Sequence, residues 1–497
     1  MSVDFIVASP DDAVEFNDAY RNITGNAGYI ACNNIYSRLV VKQWVDPHAY
    51  PDLATHWECL DGGRRWRFHL NRAARWQDGH PLTAEDVAYT HTEVLKNGYA
   101  GARLLREVER VEVVNRHCVD YHLDGPNGDF LVMMGNFVWT HILPQHLYAG
   151  TDWATNPHNH APVGSGPFRL VDWVPGEQVV MEAWRDYWGP APSVDRLIIR
   201  IEPDRDECVR MVASGRAHYI PQDTLTLDRV PLLDDATVEI EKVFGEGPGM
   251  AYLDFNHRLP IWQNPQVRRA VAHAINRAEI GELADPGVSQ AWDHYLLPNR
   301  PWAFDDTVAA PPFDLAESER LLDDGGLPRD ASGGRGRLRL YYMDTFDGHR
   351  PIAEVVARQL GALGFDVEWE GLKSIVWADV ISRTHEFDLI VGAGSTAPQL
   401  MSTKFTSTGA RNDAGHRNAE LDAAYRAARE APTESERGAL YREVQRITER
   451  DTEWIPLFWY GTYFVRSAAF FGWCDQLGGS IPWWHFGRMR PVDAAHG

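Results

Sequence analysis

A chain of 497 residues with 44% apolar and 24% charged side chains is long enough for two or three domains with large cores, and its composition is globular rather than disordered. The formal net charge of −22 argues against a nucleic-acid partner and against a polybasic membrane anchor, because both need a basic face. No apolar run approaches the ~18 residues of a membrane helix, and the opening "MSVDFIVASPDD" lacks the basic-then-apolar pattern of a signal peptide.

In chain order, "VDFIVAS" is a short apolar strand and "WRFHLNRAARW" a strand leading into a turn. The stretch "RWQDGHPLTAEDVAYTHTEVL" crowds Asp78, His80, Glu85, Asp86 and His91 together. Read locally, they are structural. Asp78-Gly79 is a turn signal, and Thr83 is a helix N-cap to which Asp86, three residues on, returns a bond. Glu85 and Asp86 suit the positive end of the helix dipole. Val87, Thr90 or His91, Val94 and Leu95 follow at helical spacing. No HExxH-like spacing supports a metal.

Next come two strands joined by Pro-Gly ("RLVDWVPGEQVVMEAW"), a buried strand ("DRLIIRIEP"), a helix stopped at Gly215, and the strand "RAHYI": a βαβ unit. A second α/β region starts after "GMAYLDFNH". Asn264 caps a helix that has Pro265 at its first position and Val267, Ala270, Val271, Ala274 and Ile275 on its apolar stripe. "LRLYYM", "RPIAEVVARQLGALG", "FDVEWEGL" and "FDLIVGAG" continue the alternation of strand and helix. Two helices split at Pro432 and the aromatic strand "WIPLFWY" follow, and "DASGGRGR" reads as a surface turn. Two α/β modules predict two lobes, with ligands beyond the carboxyl ends of strands.

The five scattered cysteines (Cys32, Cys59, Cys118, Cys208, Cys474) have no zinc spacing and read as buried thiols, a disulfide remaining open. "HNH" (His158, His160) reads as a polar loop. "GSGPF" at Gly164 lacks the Lys and Ser/Thr of a phosphate loop, and no Gly-x-Ser-x-Gly elbow appears. No catalytic constellation, metal or cofactor is expected. The 19 tryptophans exceed what a core ordinarily needs and suggest a cleft with flat aromatic walls.

Several segments together resemble a known family. "WQDGHPLTAEDVAYT", "PVGSGPFRLVDWVPGEQVVMEAWRDYW", "YLDFNHRLPIWQNPQVRRAVAHAINRAEI" and "AELDAAYRAAREAPTESERGALYREVQRI…WIPLFW" resemble, in order and nearly end to end, the signatures of the family 5 solute-binding proteins of ABC transporters, the dipeptide, oligopeptide, nickel and oligosaccharide class. The resemblance implies an α/β, two-lobed periplasmic-binding-protein fold of type II with an enlarged first lobe and a ligand cleft between lobes. The lobes would be residues 1–256, with an inserted subdomain at about 45–160, then 257–465, with 466–497 returning to the first lobe. It also implies that the DG-x-PLTAEDV stretch belongs to the fold.

The peptide binders of this family carry an acidic residue in a "W-x-x-D-x-x-DP" stretch, which pairs with the α-ammonium of the peptide. Here that stretch reads "AGSTAPQLMSTKF", with no Asp or Glu between Ala393 and Gln399. An ammonium buried without a counter-charge is strongly disfavoured, so a neutral or aromatic solute, an oligosaccharide or another anchoring scheme gains weight. Candidate ligand-lining residues, taken from strand ends, are Tyr29, Asn33, Gln222 and Asp223 in the first lobe. In the second they are Met343, Asp344, Trp377, Arg383, Ser395 and Thr396, with Trp459, Trp483 and Trp484 near the crossover or C-terminal segment. Each has a plainer reading: Trp459 and Met343 as core, Gln222 and Asp223 as turn caps, Arg383 as a solvated charge.

The function expected is a monomeric receptor that captures a small solute and hands it to an ABC permease outside the cytoplasm. The alternative is a cytosolic protein reusing the fold as an enzyme or ligand sensor. Hinge closure is expected on ligand binding. Small-angle scattering should then give a smaller radius of gyration at saturating ligand. An unchanged radius, starting from an open ligand-free state, would count against closure.

Overall fold

The computed structural model describes the chain apart from residues 1, 18, 21–25, 43–48, 136–139, 222–223, 226, 234–237, 245–248, 285–289, 299, 345–347, 395–396, 432, 472–485, 487–488 and 493–497. The chain forms two compact units, Met1–Val243 together with Tyr463–Gly497, and Phe244–Thr462.

In the first unit, β1 (Asp4–Ser9) is followed by α1 (Asn26–Ile35). Strands β2 (Ala54–Leu60), β3 (Arg65–Leu70), β4 (Val108–Asn115) and β5 (Cys118–Leu123) make an antiparallel sheet in the order β2-β3-β5-β4. Between β3 and β4 lies α2 (Ala84–Asn97), and further on the short α3 (Gln145–Tyr148). The second sheet combines β1 with β6 (Phe168–Val174), β7 (Gln178–Ala183) and β8 (Arg196–Ile201), in the order β1-β8-β7-β6. β1 and β8 run parallel, Asp4 opposite Arg196 through Ser9 opposite Ile201. The helix expected after β8 is α4 (Arg205–Ala213), capped by Asp204. The last strand of that βαβ unit shrinks to a single bridge between Val7 and Tyr219.

The "GSGPF" glycines are packing glycines. A Cβ on Gly164 would stand 1.8 Å from the Ile35 carbonyl oxygen, so only hydrogen fits where this loop crosses the end of α1. Asn159, between the two histidines of "HNH", is buried. Its Oδ1 accepts from Asn17 Nδ2 (3.0 Å) and Tyr148 OH (3.1 Å), which gives that loop a structural role.

The N-terminus of α2 follows the local sequence logic, but Asp86 carries more of it than Thr83. The Thr83 N–H donates to Asp86 Oδ2 (2.9 Å), and the other oxygen, Oδ1, accepts the N–H of Gln145 (3.0 Å). One buried carboxylate thus closes the first turn of α2 and pins the start of α3.

The second unit is built on a six-stranded sheet. Its strands are β9 (Met250–Phe255), β10 (Gln290–Ala291), β11 (Gly336–Met343), β12 (Phe365–Leu372), β13 (Leu389–Gly394) and β14 (Trp454–Trp459). The order is β10-β14-β9-β13-β11-β12. β11 is parallel to β12 and β13, and β9 is antiparallel to β13 and β14. Every residue of β9 is buried. Ala251, Leu253 and Phe255 join one core and Met250 and Tyr252 another, so helices cover both faces of the sheet. The expected boundary near His257 is therefore displaced: β9 pairs on both edges with strands of the second unit and belongs to it.

One face carries α5 (Pro265–Ala274) and α6 (His349–Ala362). The other carries α7 (Pro398–Phe405), α8 (Ala419–Glu430) and α9 (Glu434–Asp451). α5 begins as its sequence predicts, Asn264 Oδ1 accepting the Gln266 N–H at 3.0 Å. Arg268 breaks the pattern by being buried. Its guanidinium donates to the carbonyls of Trp262 (2.6 Å), Asp451 (2.5 Å) and Thr452 (2.9 Å), the last two closing the C-terminus of α9.

Beside Arg268 is a buried ion network. His416 places Nδ1 3.1 Å from Glu453 Oε2 and Nε2 3.1 Å from Asp254 Oδ1. A ring with both nitrogens on carboxylates must donate from both, so it is an imidazolium. The two acids hold its pKa up at about 9 against the opposing effect of burial. Despite its own burial, Glu453 is held down at about 2, chiefly by its bond to His416. His257 is the neutral member: burial, and then the neighbouring His416 charge, push its pKa well below normal, and its Nε2–H donates to the Glu453 carbonyl (2.9 Å). Asn418 Nδ2 donates to Glu453 Oε1 (3.0 Å), while its Oδ1 caps α8. Two carboxylates face one guanidinium and one imidazolium, so the network balances.

Two outcomes follow. Asp86→Ala should lower stability by about 2 kcal/mol and Thr83→Ala by about 1 kcal/mol or less, in denaturant melts. His416→Ala should cost about 3–5 kcal/mol, because it strands two buried carboxylates beside one guanidinium. The His416 contribution is full below its unfolded pKa of ~6.5 and is lost as pH rises through about 9. The gap in melting temperature between wild type and His416→Ala should therefore narrow from pH 6.5 to pH 9.

Candidate functional site

The strand directions bring the carboxyl ends of β11, β12, β13 and β14 to one edge of the sheet, together with the start of β9. Met250 pairs with Gly394 on one side and Trp459 on the other, and Met343 pairs with Leu372. This edge is where an open α/β sheet holds its ligand.

At its centre is Lys404 of α7. The residue is half-buried, but its ammonium is enclosed: Nζ donates to Tyr252 OH (2.7 Å) and to the Ala393 carbonyl (2.8 Å), and lies 4.9 Å from the Tyr252 ring centroid. Among the described residues no carboxylate pairs with it. Burial, and then the Arg411 charge, push its pKa down to about 7. The sequence makes room for this arrangement. A Cβ on Gly394 would lie 2.5 Å from Lys404 Nζ, and one on Gly392 would lie 2.6 Å from the Tyr252 ring, so "VGAG" at the end of β13 is glycine-rich because two side chains lie against its backbone. At the same edge His349 opens α6, and burial brings its pKa to about 4 and leaves it neutral.

Of the sequence-derived candidates, Met343 ends β11 half-buried, Asp344 follows it exposed, and Trp459 ends β14 6% exposed, edge-on to Trp292 at 5.0 Å. These three share the sheet edge. Trp377 packs against a satellite core of Leu372, Ile381, Phe387 and Ile390, and the exposed Arg383 pairs with Asp379 one helical turn away. Tyr29 and Asn33 lie on α1 of the first unit, Tyr29 against the core and Asn33 2% exposed with Nδ2 on the Tyr29 carbonyl (2.7 Å). Gln222, Asp223, Ser395, Thr396, Trp483 and Trp484 fall outside the described residues. Sequence reasoning passed over Lys404 and Tyr252. The available signal was rarity: the chain has five lysines, and one stands just past the stretch that lacks an acid.

Among the described tryptophans, Trp66, Trp76, Trp153, Trp184, Trp262, Trp454 and Trp459 are buried and the others are partly exposed. Asp254, His257 and His416 have ligand-type atoms within 4.8 Å of one another, but protons and Arg268 already satisfy them, which makes the cluster structural.

The model of the bacterial extracellular solute-binding proteins, family 5, matches residues 48–415. The oligopeptide-binding protein AppA of Bacillus subtilis is 25% identical over 90% of this chain and 84% of its own length. The heme-binding protein A of Haemophilus influenzae is 24% identical over 88% and 83%. Among solved structures, the ABC transporter substrate-binding protein CtaP of Listeria monocytogenes superposes with a TM-score of 0.84 at 20% identity, covering 99% of each chain. With the family model spanning most of its length, the chain belongs to the bacterial extracellular solute-binding proteins of family 5, and it is a solute-binding receptor rather than a cytosolic protein that has borrowed the fold.

Proposed function

We propose that this receptor works outside the cytoplasm as the monomeric capture subunit of an ABC importer, and that its solute lacks the free α-ammonium of an ordinary peptide. The observation that carries the ligand reading is Lys404. Where the resemblance places a carboxylate in peptide binders, the end of β13 here bears an ammonium instead. A solute ammonium brought beside Lys404 either meets a like charge or forces the lysine, whose pKa burial lowers to about 7, to give up its proton. Either way the lysine offers that ammonium no counter-charge. A solute offering carboxylate or neutral oxygen acceptors fits this edge better than one offering an amine. The names of the relatives leave the solute class open, since they specify oligopeptides for one protein and heme for another.

Native mass spectrometry of the purified protein should identify a retained solute without an α-ammonium. In titration calorimetry, dipeptides and tripeptides should bind weakly, and anionic aromatic metabolites or oligosaccharides more tightly. Lys404→Met should improve affinity for amine-bearing peptides and weaken that for acids. Submicromolar binding of simple peptides that depends on a free amino terminus would overturn the reading and make Asp344 or Asp223 the anchoring acid.

A further inference from the structure

Asp78 and His80 stand on a rigid turn. The Gly79 N–H donates to the Trp76 carbonyl (2.9 Å) and the Trp76 N–H to the His80 carbonyl (2.8 Å), with Gly79 at φ +92°, where glycine is favoured. The His80 N–H donates to Asp78 Oδ1 (3.1 Å) and fixes that carboxylate. The third member arrives from far along the chain. His146 lies on α3, whose first N–H is held by Asp86, the same residue that closes the start of α2. One buried carboxylate therefore sets the position of α3 against the helix that follows the Asp78 turn.

The result is a convergence of three ligand-type groups. His146 Nε2 is 2.6 Å from Asp78 Oδ2, although 68 residues separate them, and His80 Nδ1 is 3.2 Å from Asp78 Oδ1. The two imidazoles stack, with centroids 4.1 Å apart and planes 27° from parallel. One ligand atom from each residue lies within 4.8 Å of the other two. Ligands held ~2.0–2.2 Å from a tetrahedral zinc ion lie roughly 3.3 Å from one another, so small side-chain rotations suffice. Two imidazole nitrogens and a carboxylate oxygen are a donor set suited to a borderline divalent cation. Among the described residues no arginine or lysine pairs with Asp78.

We propose that Asp78, His80 and His146 form a surface site for a divalent transition metal of the zinc type, tying the Asp78 turn to α3. The site lies within the first unit and is independent of the solute reading. Spacing could not reveal it: HxxxH-type motifs put ligands on one helix, whereas here the third ligand comes from a separate element. The turn read at Asp78-Gly79 is present, and the proposed site is built on it.

The test is calorimetric titration of zinc chloride into the chelator-treated full chain in a non-coordinating buffer near neutral pH, with melting temperatures read in parallel. One zinc ion per chain should bind and raise the melting temperature. His80→Ala and His146→Ala should each weaken binding by about 10–100-fold or more, and the double variant should lose both the binding and the thermal shift. Binding should also weaken in acid, because zinc needs neutral imidazole. An unchanged metal-free melt for the exposed His80→Ala separates ligand loss from misfolding. Absence of zinc uptake by the wild type, or uptake by the double variant with unchanged affinity, would overturn the proposal.

Discussion

The second unit depends on a charge-balanced cluster in which His416 joins Asp254 of β9 to Glu453 at the foot of β14. Removing four charged or polar side chains from water is costly, and only mutual pairing offsets it. The cluster achieves this by recruiting a different element for each member: the central strand, the loop before α8, the segment after α9, and Arg268 from the opposite face of the sheet. None of these bonds is local in sequence. The cluster therefore forms only when sheet and helices have docked in one register, which makes it a specificity device as much as a source of stability.

Its reach extends to the sheet edge. Tyr252 and Asp254 are two residues apart on β9, so they point to the same face. Asp254 is tied to His416, and Tyr252 receives the Lys404 ammonium. The two sites share a strand but treat charge differently. The cluster is closed, with each charge answered. Among the described residues Lys404 has a hydroxyl, a carbonyl and a ring face but no carboxylate in contact, and burial, then the Arg411 charge, lowers its pKa. An enclosed ammonium with a lowered pKa at the edge of a sheet is the kind of group that functional sites show.

Elements defined by local pattern were legible in the sequence. The Asn264-Pro265 start of α5, the Pro-Gly hairpin between β6 and β7, and the pair α8 and α9 lie where periodicity and capping put them. The two α/β modules pointed to two units, and the chain forms two. Three kinds of information were not legible. The membership of β9 depends on which strands flank it, which its own buried residues do not encode. Arg268 lies off the apolar stripe of α5, yet its target is the C-terminus of another helix about 180 residues away. The candidate site was read from strand ends, and that logic found Met343, Asp344 and Trp459 at the edge. It missed Lys404 because the lysine reaches the edge from a helix, across glycines whose emptiness is visible only in three dimensions.

Glycines 392 and 394 show why family membership stops short of naming a solute. The sheet and its helices set where an edge exists, not what it presents. What it presents is decided by a few side chains that touch no part of the cluster's own logic. Glycines at 392 and 394 and a lysine leaning across the end of β13 leave its pairing with β9 intact, because the strand contributes backbone hydrogen bonds whatever its side chains are. A receptor scaffold of this kind can therefore change what its sheet edge presents at a handful of positions without disturbing the strand pairing beneath it.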